Sequence, residues 1–320
     1  MFARQTCVAA CSLFVAGALL SGCSSSSTST PSGPARATTL FVGDTSGHFI
    51  ESFPATATGN VAPSTKITSA NLSGPFSLFI DSQSRIWDAD FGTAHVLAFP
   101  ITANGATAPS VDLTCACFTG PVGIFVDSAG TIYVGDFSNN SLFVFAPGSN
   151  GLSVPTRTIT GANTLLFCPE GIWVDGSANI WVSNACGANI ITVFGPAQNG
   201  NVAPQSSITG ANTGLGSPTG VTLDSAGNIY VANFLTPSVT VYAPGSNGNA
   251  TPARTITGAN TNLGEPYGIQ VDSQGFIYVG NDSVPNAVVF APGANGNATP
   301  AQTLTGALTG FAAPASVAIH

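Results

Sequence analysis

The sequence predicts an all-β protein built from one repeated unit, and three observations predict it. Hydrophobic residues make up 44% of the 320 residues, while charged residues make up only 6%, against about 25% in ordinary globular proteins. Short strand-length runs alternate with Gly, Asn and Pro clusters, and helical periodicity appears only near the N-terminus. Two sequence markers also recur at a nearly constant interval. Together these features indicate many short strands around a large core.

The recurring markers divide the chain into six units. The first marker is a strand-like run whose last residue is Asp or Asn, and its copies end at Asp44, Asp90, Asp136, Asn184, Asn233 and Asn281. The second marker is a proline, found at Pro63, Pro109, Pro155, Pro204, Pro252 and Pro300. Both markers step by 46 to 49 residues. A period of about 40–50 residues made of strands is typical of β-propeller blades.

Each unit contains four strand-like runs, as the fifth unit illustrates. Residues 221–223 lead through a Ser-Ala-Gly turn into residues 228–233, and residues 239–242 follow. A turn rich in Gly and Asn then precedes residues 254–257. This order predicts a four-stranded antiparallel blade.

The two ends of the chain predict how the ring closes. Residues 314–320 match residues 266–272, the first strand of the preceding unit, whereas residues 38–71 supply three strands without a first. We therefore expect the C-terminal strand to complete the N-terminal blade. This pairing closes a six-bladed ring and leaves no open sheet edge.

Residues 1–22 are predicted to be a lipoprotein signal peptide. Arg4 precedes an apolar run of about 14 residues, shorter than the roughly 20 that span a membrane. The run ends in Leu-Ser-Gly before Cys23, which resembles a bacterial lipobox and implies lipidation of Cys23; an ordinary secretory signal is the alternative. Residues 23–37 form a Ser/Thr/Pro-rich tether, and residues 38–320 form the propeller. We expect a protein anchored in the bacterial cell envelope, on the outer membrane if there is one, facing the periplasm or the exterior.

The repeat itself resembles a known family. The motif Pro-x-Gly-Ile/Val-x-Val/Leu-Asp-Ser-x-Gly-x-Ile-Tyr-Val-x-Asn begins at Pro121, Pro218 and Pro266. It resembles the NHL repeat and the wider gluconolactonase/regucalcin-like propellers. The resemblance implies a six-bladed propeller with a ligand site at the mouth of the central channel. Because such propellers include enzymes, ligand binders and interaction platforms, the fold alone does not assign a function.

Composition and motifs exclude several classes of function. One Lys and five Arg cannot neutralise a nucleic-acid backbone, so we expect no nucleic-acid partner. The sequence also lacks the G-x-S-x-G, P-loop, H-E-x-x-H and EF-hand patterns. These absences lower the expectation of an enzyme.

Two departures from the repeat are candidate site residues. Six-fold recurrence of Asp or Asn at the strand ends favours a structural role in binding loose backbone N–H groups. Asp88, in contrast, stands where the other five units have Val, and it shares a strand face with Asp90. A buried carboxylate there needs a partner, so Asp88 and Asp90 are candidate cation ligands; drift of this blade is the alternative.

Glu170 is the second departure. It occupies the Pro-x-Gly position that the other units fill with Phe76, Val122, Thr219, Tyr267 and Ala315. These six side chains are expected to ring the channel mouth, where Phe76 and Tyr267 could stack on a sugar or a peptide. The resemblance implies that Glu170, with an Asn and an Asp, could hold a divalent metal. A solvated Glu at the rim is the alternative.

Four cysteines of the predicted propeller are expected to form disulfides, because their number is even and the protein is exported. Cys168 precedes a first strand and Cys186 follows the paired second strand, so these two are predicted to be bonded. Cys115 and Cys117 either pair with each other or exchange with the other two. Zinc binding by the four thiolates is a further alternative.

The predicted function is that of a binding or scaffolding module for a small ligand, glycan or partner protein at the channel mouth. No cofactor is expected apart from a divalent cation at Asp88, Asp90 or Glu170. One alternative is a metal-dependent, lactonase-like hydrolase at the same mouth. Another is a structural envelope protein, which a mouth filled with apolar side chains would favour.

Overall fold

A computed structural model describes residues 36–320 and shows six antiparallel sheets arranged as blades of a β-propeller. The inner strand of each blade contacts the inner strand of the next blade, so the six inner strands form a closed ring. The described residues contain no α-helix; they contain the 3-10 helices Ala162–Thr164, Ala259–Thr261 and Ala307–Thr309. The predicted all-β, six-bladed architecture is confirmed. The predicted signal peptide, Cys23 and nearly all of the tether lie outside the described residues.

Each blade has four main strands, which follow one another from the axis outward. Blade 1 comprises Ser316–Ile319, Thr39–Asp44, Phe49–Pro54 and Thr65–Thr68, and blade 2 comprises Pro75–Ile80, Arg85–Asp90, His95–Pro100 and Val111–Thr114. Blade 3 comprises Pro121–Val126, Ile132–Asp136, Ser141–Phe145 and Arg157–Thr160, and blade 4 comprises Pro169–Val174, Ile180–Asn184, Ile190–Phe194 and Ser206–Ile208. Blade 5 comprises Pro218–Leu223, Ile229–Asn233, Ser238–Tyr242 and Arg254–Thr257, and blade 6 comprises Pro266–Val271, Ile277–Asn281, Asn286–Phe290 and Gln302–Thr305.

The C-terminal strand closes the ring as predicted. Ser316–Ile319 pairs antiparallel with Thr39–Asp44, so that Leu40 lies opposite Ile319 and Gly43 lies opposite Ser316. The backbone N–H of His320 also donates to the Thr39 carbonyl at 3.0 Å. Blade 1 therefore contains both ends of the described chain.

The Pro-x-Gly motif bends the inner strands. In blades 4, 5 and 6 the pairing with the second strand shifts register across this motif, which is the mark of a β-bulge. The motif's glycine also allows neighbouring blades to approach: a Cβ on Gly220 would lie 2.5 Å from the carbonyl oxygen of Tyr267. The bulge turns the residue before the glycine toward the channel mouth.

Loops on the outer rim fasten each blade to its neighbour. A glycine in the loop between the third and outer strands bridges in parallel to the outer strand of the preceding blade; the pairs are Ile67–Gly105, Leu113–Gly151, Ile159–Gly200, Ile208–Gly248, Ile256–Gly296 and Leu304–Gly59. In five of these loops the Asn before the glycine accepts a backbone N–H of that strand, as Asn247 does from Ser207 at 3.1 Å. The last pair joins blade 6 to blade 1, so the ring is closed at its rim as well as at its axis.

The core lies between the blades. Side chains of the second and third strands form apolar layers from one blade to the next, with Trp87, Phe99 and Phe194 among the largest fully buried residues. No helix within residues 36–320 is long and apolar enough to cross a membrane.

Candidate functional site

The mouth face of the propeller is the face on which the inner strands begin and the second strands end. Six Asp or Asn side chains end the second strands there, and all six are fully buried. Asp90 is representative, because its carboxylate accepts the backbone N–H groups of Ser73, Gly74 and Thr93 at 2.7–2.8 Å. The three Asn residues use their amide oxygens in the same way on the loop that enters their own blade. These residues hold the loops of the mouth, as the structural interpretation predicts.

Asp88 is buried on the same face of its strand as Asp90 but makes no equivalent bonds. It lies in register between Leu78 and Leu97, is fully buried, and neither carboxylate oxygen has a hydrogen-bond partner. Burial, together with the nearby Asp90 carboxylate, raises its pKa well above the usual value. Within residues 36–320 no three His, Cys, Asp or Glu side chains lie close enough to hold a metal ion.

Five of the six side chains expected at the channel mouth line the axial cavity, namely Phe76, Val122, Glu170, Thr219 and Tyr267, whereas the sixth, Ala315, is fully buried. The cavity along the axis has a volume of only ≈ 30 Å³. That is room for about two water molecules and not for a sugar. Thr219 is engaged by the fold, since its hydroxyl donates to the carbonyl oxygens of Pro266 and Tyr267 at 3.0 Å.

Glu170 is the polar side chain of this ring whose hydrogen-bonding capacity is only partly satisfied. The residue is only 6% exposed, and its Oε2 atom has no hydrogen-bond partner. The Tyr267 hydroxyl donates a hydrogen bond to the Glu170 carboxylate. Burial is the largest influence on Glu170 and raises its pKa to about 8, with the negative charge of Asp282 acting in the same direction. At neutral pH the side chain is mostly protonated in the free protein.

Five aromatic rings form a continuous row across the mouth, which we call the aromatic arc; in order they are Phe137, Phe91, Phe76, Tyr267 and Phe234. Successive ring centroids are 6.3, 5.6, 5.5 and 6.3 Å apart, and the rings are tilted or edge-to-face. Phe91 is 39% exposed. Phe76 and Tyr267 both line the axial cavity, and their contact joins blades 2 and 6, which flank blade 1 in the ring.

Sequence reasoning missed three members of the aromatic arc. Phe91, Phe137 and Phe234 each follow the Asp or Asn that ends a second strand, where the other blades have Thr45, Ala185 and Asp282. Phe thus occupies this turn position in three units, and a smaller or polar residue occupies it in the other three. Comparing the units at this position would have found these rings.

Two further acids lie on the mouth face in blade 6. Asp282 follows the strand end, and its backbone N–H donates to the Glu265 carbonyl at 3.1 Å. Burial and the nearby Glu265 carboxylate raise the pKa of Asp282. Sequence reasoning missed both acids because it did not compare these two loop positions between units, although blade 6 alone has acids there.

The opposite face carries a wider, open depression of ≈ 450 Å³ between blades 2, 3 and 4. Its acids are the hairpin aspartates of the repeat, and they are used in turns. Asp175, for example, accepts the backbone N–H groups of Ser177 and Asn179 and the indole N–H of Trp181 at 2.8–3.0 Å. These bonds hold its pKa below the usual value although burial opposes them. Among the described residues that line this depression, no buried side-chain nitrogen or oxygen lacks a hydrogen-bond partner.

Both disulfides lie on the mouth face. Cys168 pairs with Cys186 with a Cα–Cα distance of 5.9 Å, and Cys115 pairs with Cys117 with a Cα–Cα distance of 5.0 Å. They hold the loops that enter blades 3 and 4. The pairing resolves the alternatives left open for Cys115 and Cys117, and disulfides indicate an oxidising compartment outside the cytoplasm.

Comparisons with known proteins agree with this architecture. Residues 118–145, which include the first three strands of blade 3, match the NHL repeat. A search of curated protein sequences finds no significant match.

Solved structures with little sequence identity share the fold. A Bacteroides caccae protein of unknown function superposes with a TM-score of 0.64 at 10% identity, covering 89% of this chain and 99% of its own. A propeller in a nidogen/laminin complex has a TM-score of 0.58 at 15% identity, covering 88% and 97%. Virginiamycin B lyase from Staphylococcus aureus has a TM-score of 0.50 at 12% identity, covering 68% and 67%. At such identities the likeness concerns the fold alone. The chain is therefore a six-bladed β-propeller with an NHL repeat in its third blade.

Proposed function

We propose that the protein is an exported, lipid-anchored binding module whose mouth face holds a small ligand, a glycan or a partner protein. The observation that carries the proposal is the aromatic arc. Three of its rings stand in turns where the other blades have Thr, Ala or Asp, and Phe91 is exposed while the other four rings are half-buried. Exposed and half-buried aromatic rings grouped in this way are typical of binding surfaces.

The dimensions of the channel favour binding on top of the mouth. The axial cavity of ≈ 30 Å³ is too small for a sugar or a peptide side chain, and Phe76 and Tyr267 meet above it. A ligand would therefore lie across the rings rather than enter the channel. A sugar ring or an extended peptide has the flat shape that stacks on such a surface.

The loops that carry the site are held in place before a ligand arrives. Buried strand-end carboxylates and two disulfides fix the mouth loops of blades 1 to 4. Binding to such loops requires little ordering, which leaves more of the contact energy for affinity. The export part of the proposal is supported by the disulfides and by the lipobox-like sequence before Cys23.

The test is made on the full chain. It compares the loss of an apolar side chain on the mouth face with the loss of one elsewhere. A panel of glycans, peptides and small metabolites is screened by biolayer interferometry against the parent, Phe91→Ser and Leu152→Ser. Leu152 is 79% exposed outside the mouth, so it is the matched control for loss of an exposed apolar side chain. We expect panel members that bind the parent to bind Phe91→Ser at least about tenfold more weakly and Leu152→Ser equally well. Binding that Phe91→Ser leaves unchanged would contradict the proposal.

A further inference from the structure

All Arg and Lys side chains of residues 36–320 make their contacts away from the aromatic arc. Four of them lie over other rings: Arg36 over Phe276, Lys66 over Phe49, Arg85 over Trp87 and Arg254 over Tyr230. Arg157 donates to the carbonyl oxygen of Pro196. Arg85 and Lys66 also pair with Asp81 and Glu51 at 2.7 and 3.0 Å. In the described part of the chain, the rings of the mouth thus have no Arg or Lys of their own.

The mouth nevertheless carries acidic groups that the chain does not neutralise. Asp282, Glu265 and Glu170 lie on this face, and no Arg or Lys of residues 36–320 forms an ion pair with them. Oε2 of Glu170 is buried, lines the cavity under the rings and has no hydrogen-bond partner. Such an atom is a vacant acceptor, and a cation is the partner that stabilises it most.

Aromatic rings supply the second half of a cation site. The face of a Phe or Tyr ring attracts a positive charge within about 6 Å of its centre, most strongly where water is excluded. Tyr267 contacts both Phe76 and Phe234, with interplanar angles of 56° and 88°, and it also donates a hydrogen bond to Glu170, so it joins these rings to the carboxylate. Rings and a carboxylate in this arrangement fit an organic cation.

We infer that the mouth face binds a ligand that presents an ammonium or guanidinium group, which lies on the aromatic arc and is attracted by the negative charge of Glu170 beneath the rings. The inference rests on the proposed function and names the chemistry of its ligand. A bare metal ion fits less well, because within residues 36–320 no three His, Cys, Asp or Glu side chains converge. An organic cation needs only one carboxylate and the ring faces.

The experiment measures charge selectivity with a pair of probes of equal shape. Choline and its neutral carbon analogue 3,3-dimethylbutan-1-ol are titrated into the full chain at pH 9, above the pKa of about 8 of Glu170, and affinity is followed by NMR. We expect choline to bind at least about tenfold more tightly than the neutral analogue. Glu170→Gln should reduce this preference to below about threefold, because it keeps the size of the side chain but cannot carry charge. Asp127→Asn, which removes one charge from the opposite face, should leave the preference unchanged.

Separate outcomes decide the two proposals. If both probes bind the parent equally well and Phe91→Ser abolishes this binding, the preference for a cation is contradicted, while the proposal that the mouth face binds a ligand stands. Binding of either probe that Phe91→Ser does not weaken contradicts the proposed function itself. If Glu170→Gln fails to fold, Asp282→Asn replaces it, and an unchanged preference for choline in that variant counts against the inference.

A last arm distinguishes the source of the cation. N-acetyl-arginine amide presents the same positive charge as the side chain of a protein partner. Tighter binding of this compound than of choline identifies a cationic peptide surface, and the reverse order identifies a small amine. Failure of both to bind more tightly than 3,3-dimethylbutan-1-ol overturns the inference.

Discussion

Both oxygens of Asp88 lie between Leu78 and Leu97 without a hydrogen-bond donor, at a position where the other five blades have Val. The folded protein must either keep the proton on this carboxyl or bury its charge. Because its pKa is raised in the folded state, folding binds a proton that the unfolded chain releases above about pH 4. Stability contributed by the protonated form is thus lost as the pH rises from that value.

Asp88→Val is therefore expected to stabilise the protein. At pH 7 the free energy of unfolding should rise by about 1–3 kcal/mol, and the gain should shrink toward pH 4, where Asp88 is protonated in both states. Urea unfolding at both pH values measures this difference, and Val134→Asp, the reverse change in blade 3, should destabilise. A loss of stability in Asp88→Val would instead indicate that the carboxylate holds a buried cation.

The inner strand is the element that places the site. Its Pro-x-Gly bulge directs Glu170 and Tyr267 toward the channel mouth, and its glycine lets the next blade approach. The strand itself and its residues were predictable from the repeat. The bulge was not, because bonds such as that from the Gly268 N–H to the Ala315 carbonyl of the next blade join groups that no single unit contains. Phe91 could not be identified from strand patterns for a different reason, because it lies in a turn.

Gly220→Ala tests the close approach of the inner strands. Its Cβ would lie 2.5 Å from the Tyr267 carbonyl oxygen, a backbone atom that cannot move alone. We expect the free energy of unfolding to fall by about 1–3 kcal/mol and the melting temperature by about 5 °C. Gly176→Ala is the control, since its Cβ would meet nothing within 4 Å. Equal melting temperatures for the two variants, measured by circular dichroism, would show that the inner strands tolerate a side chain.

At the scale of the whole molecule, the repeat made the six-bladed ring predictable from the chain, including its closure. The loops of the outer rim were not predicted, because a Gly/Asn-rich segment identifies a turn without showing that it reaches the neighbouring blade. The separation of the acids of the mouth face from the Arg and Lys side chains also became visible only in three dimensions. With 14 acids against 6 basic residues, the protein attracts cations from a distance, an effect that salt screens.

Ring closure can be tested by deleting residues 314–320. The deletion removes the buried side chains of Val317 and Ala318 and the backbone bonds to Thr39–Asp44, and leaves that strand as an open edge. We expect a loss of roughly 5 kcal/mol and a melting temperature about 10 °C lower. Leu308→Ser, a change at a 58% exposed residue nearby, should melt like the parent. A deletion variant as stable as the parent would mean that the last strand does not hold the ring together.

The closing strand pair also determines which side of the propeller its ends occupy. Thr39 begins its strand on the face away from the mouth, and His320, bonded to it, ends there too. Any attachment made through either end, such as an anchor before Thr39 or a fusion after His320, therefore joins the face that carries the hairpin aspartates. The aromatic arc lies on the face opposite to both of these residues.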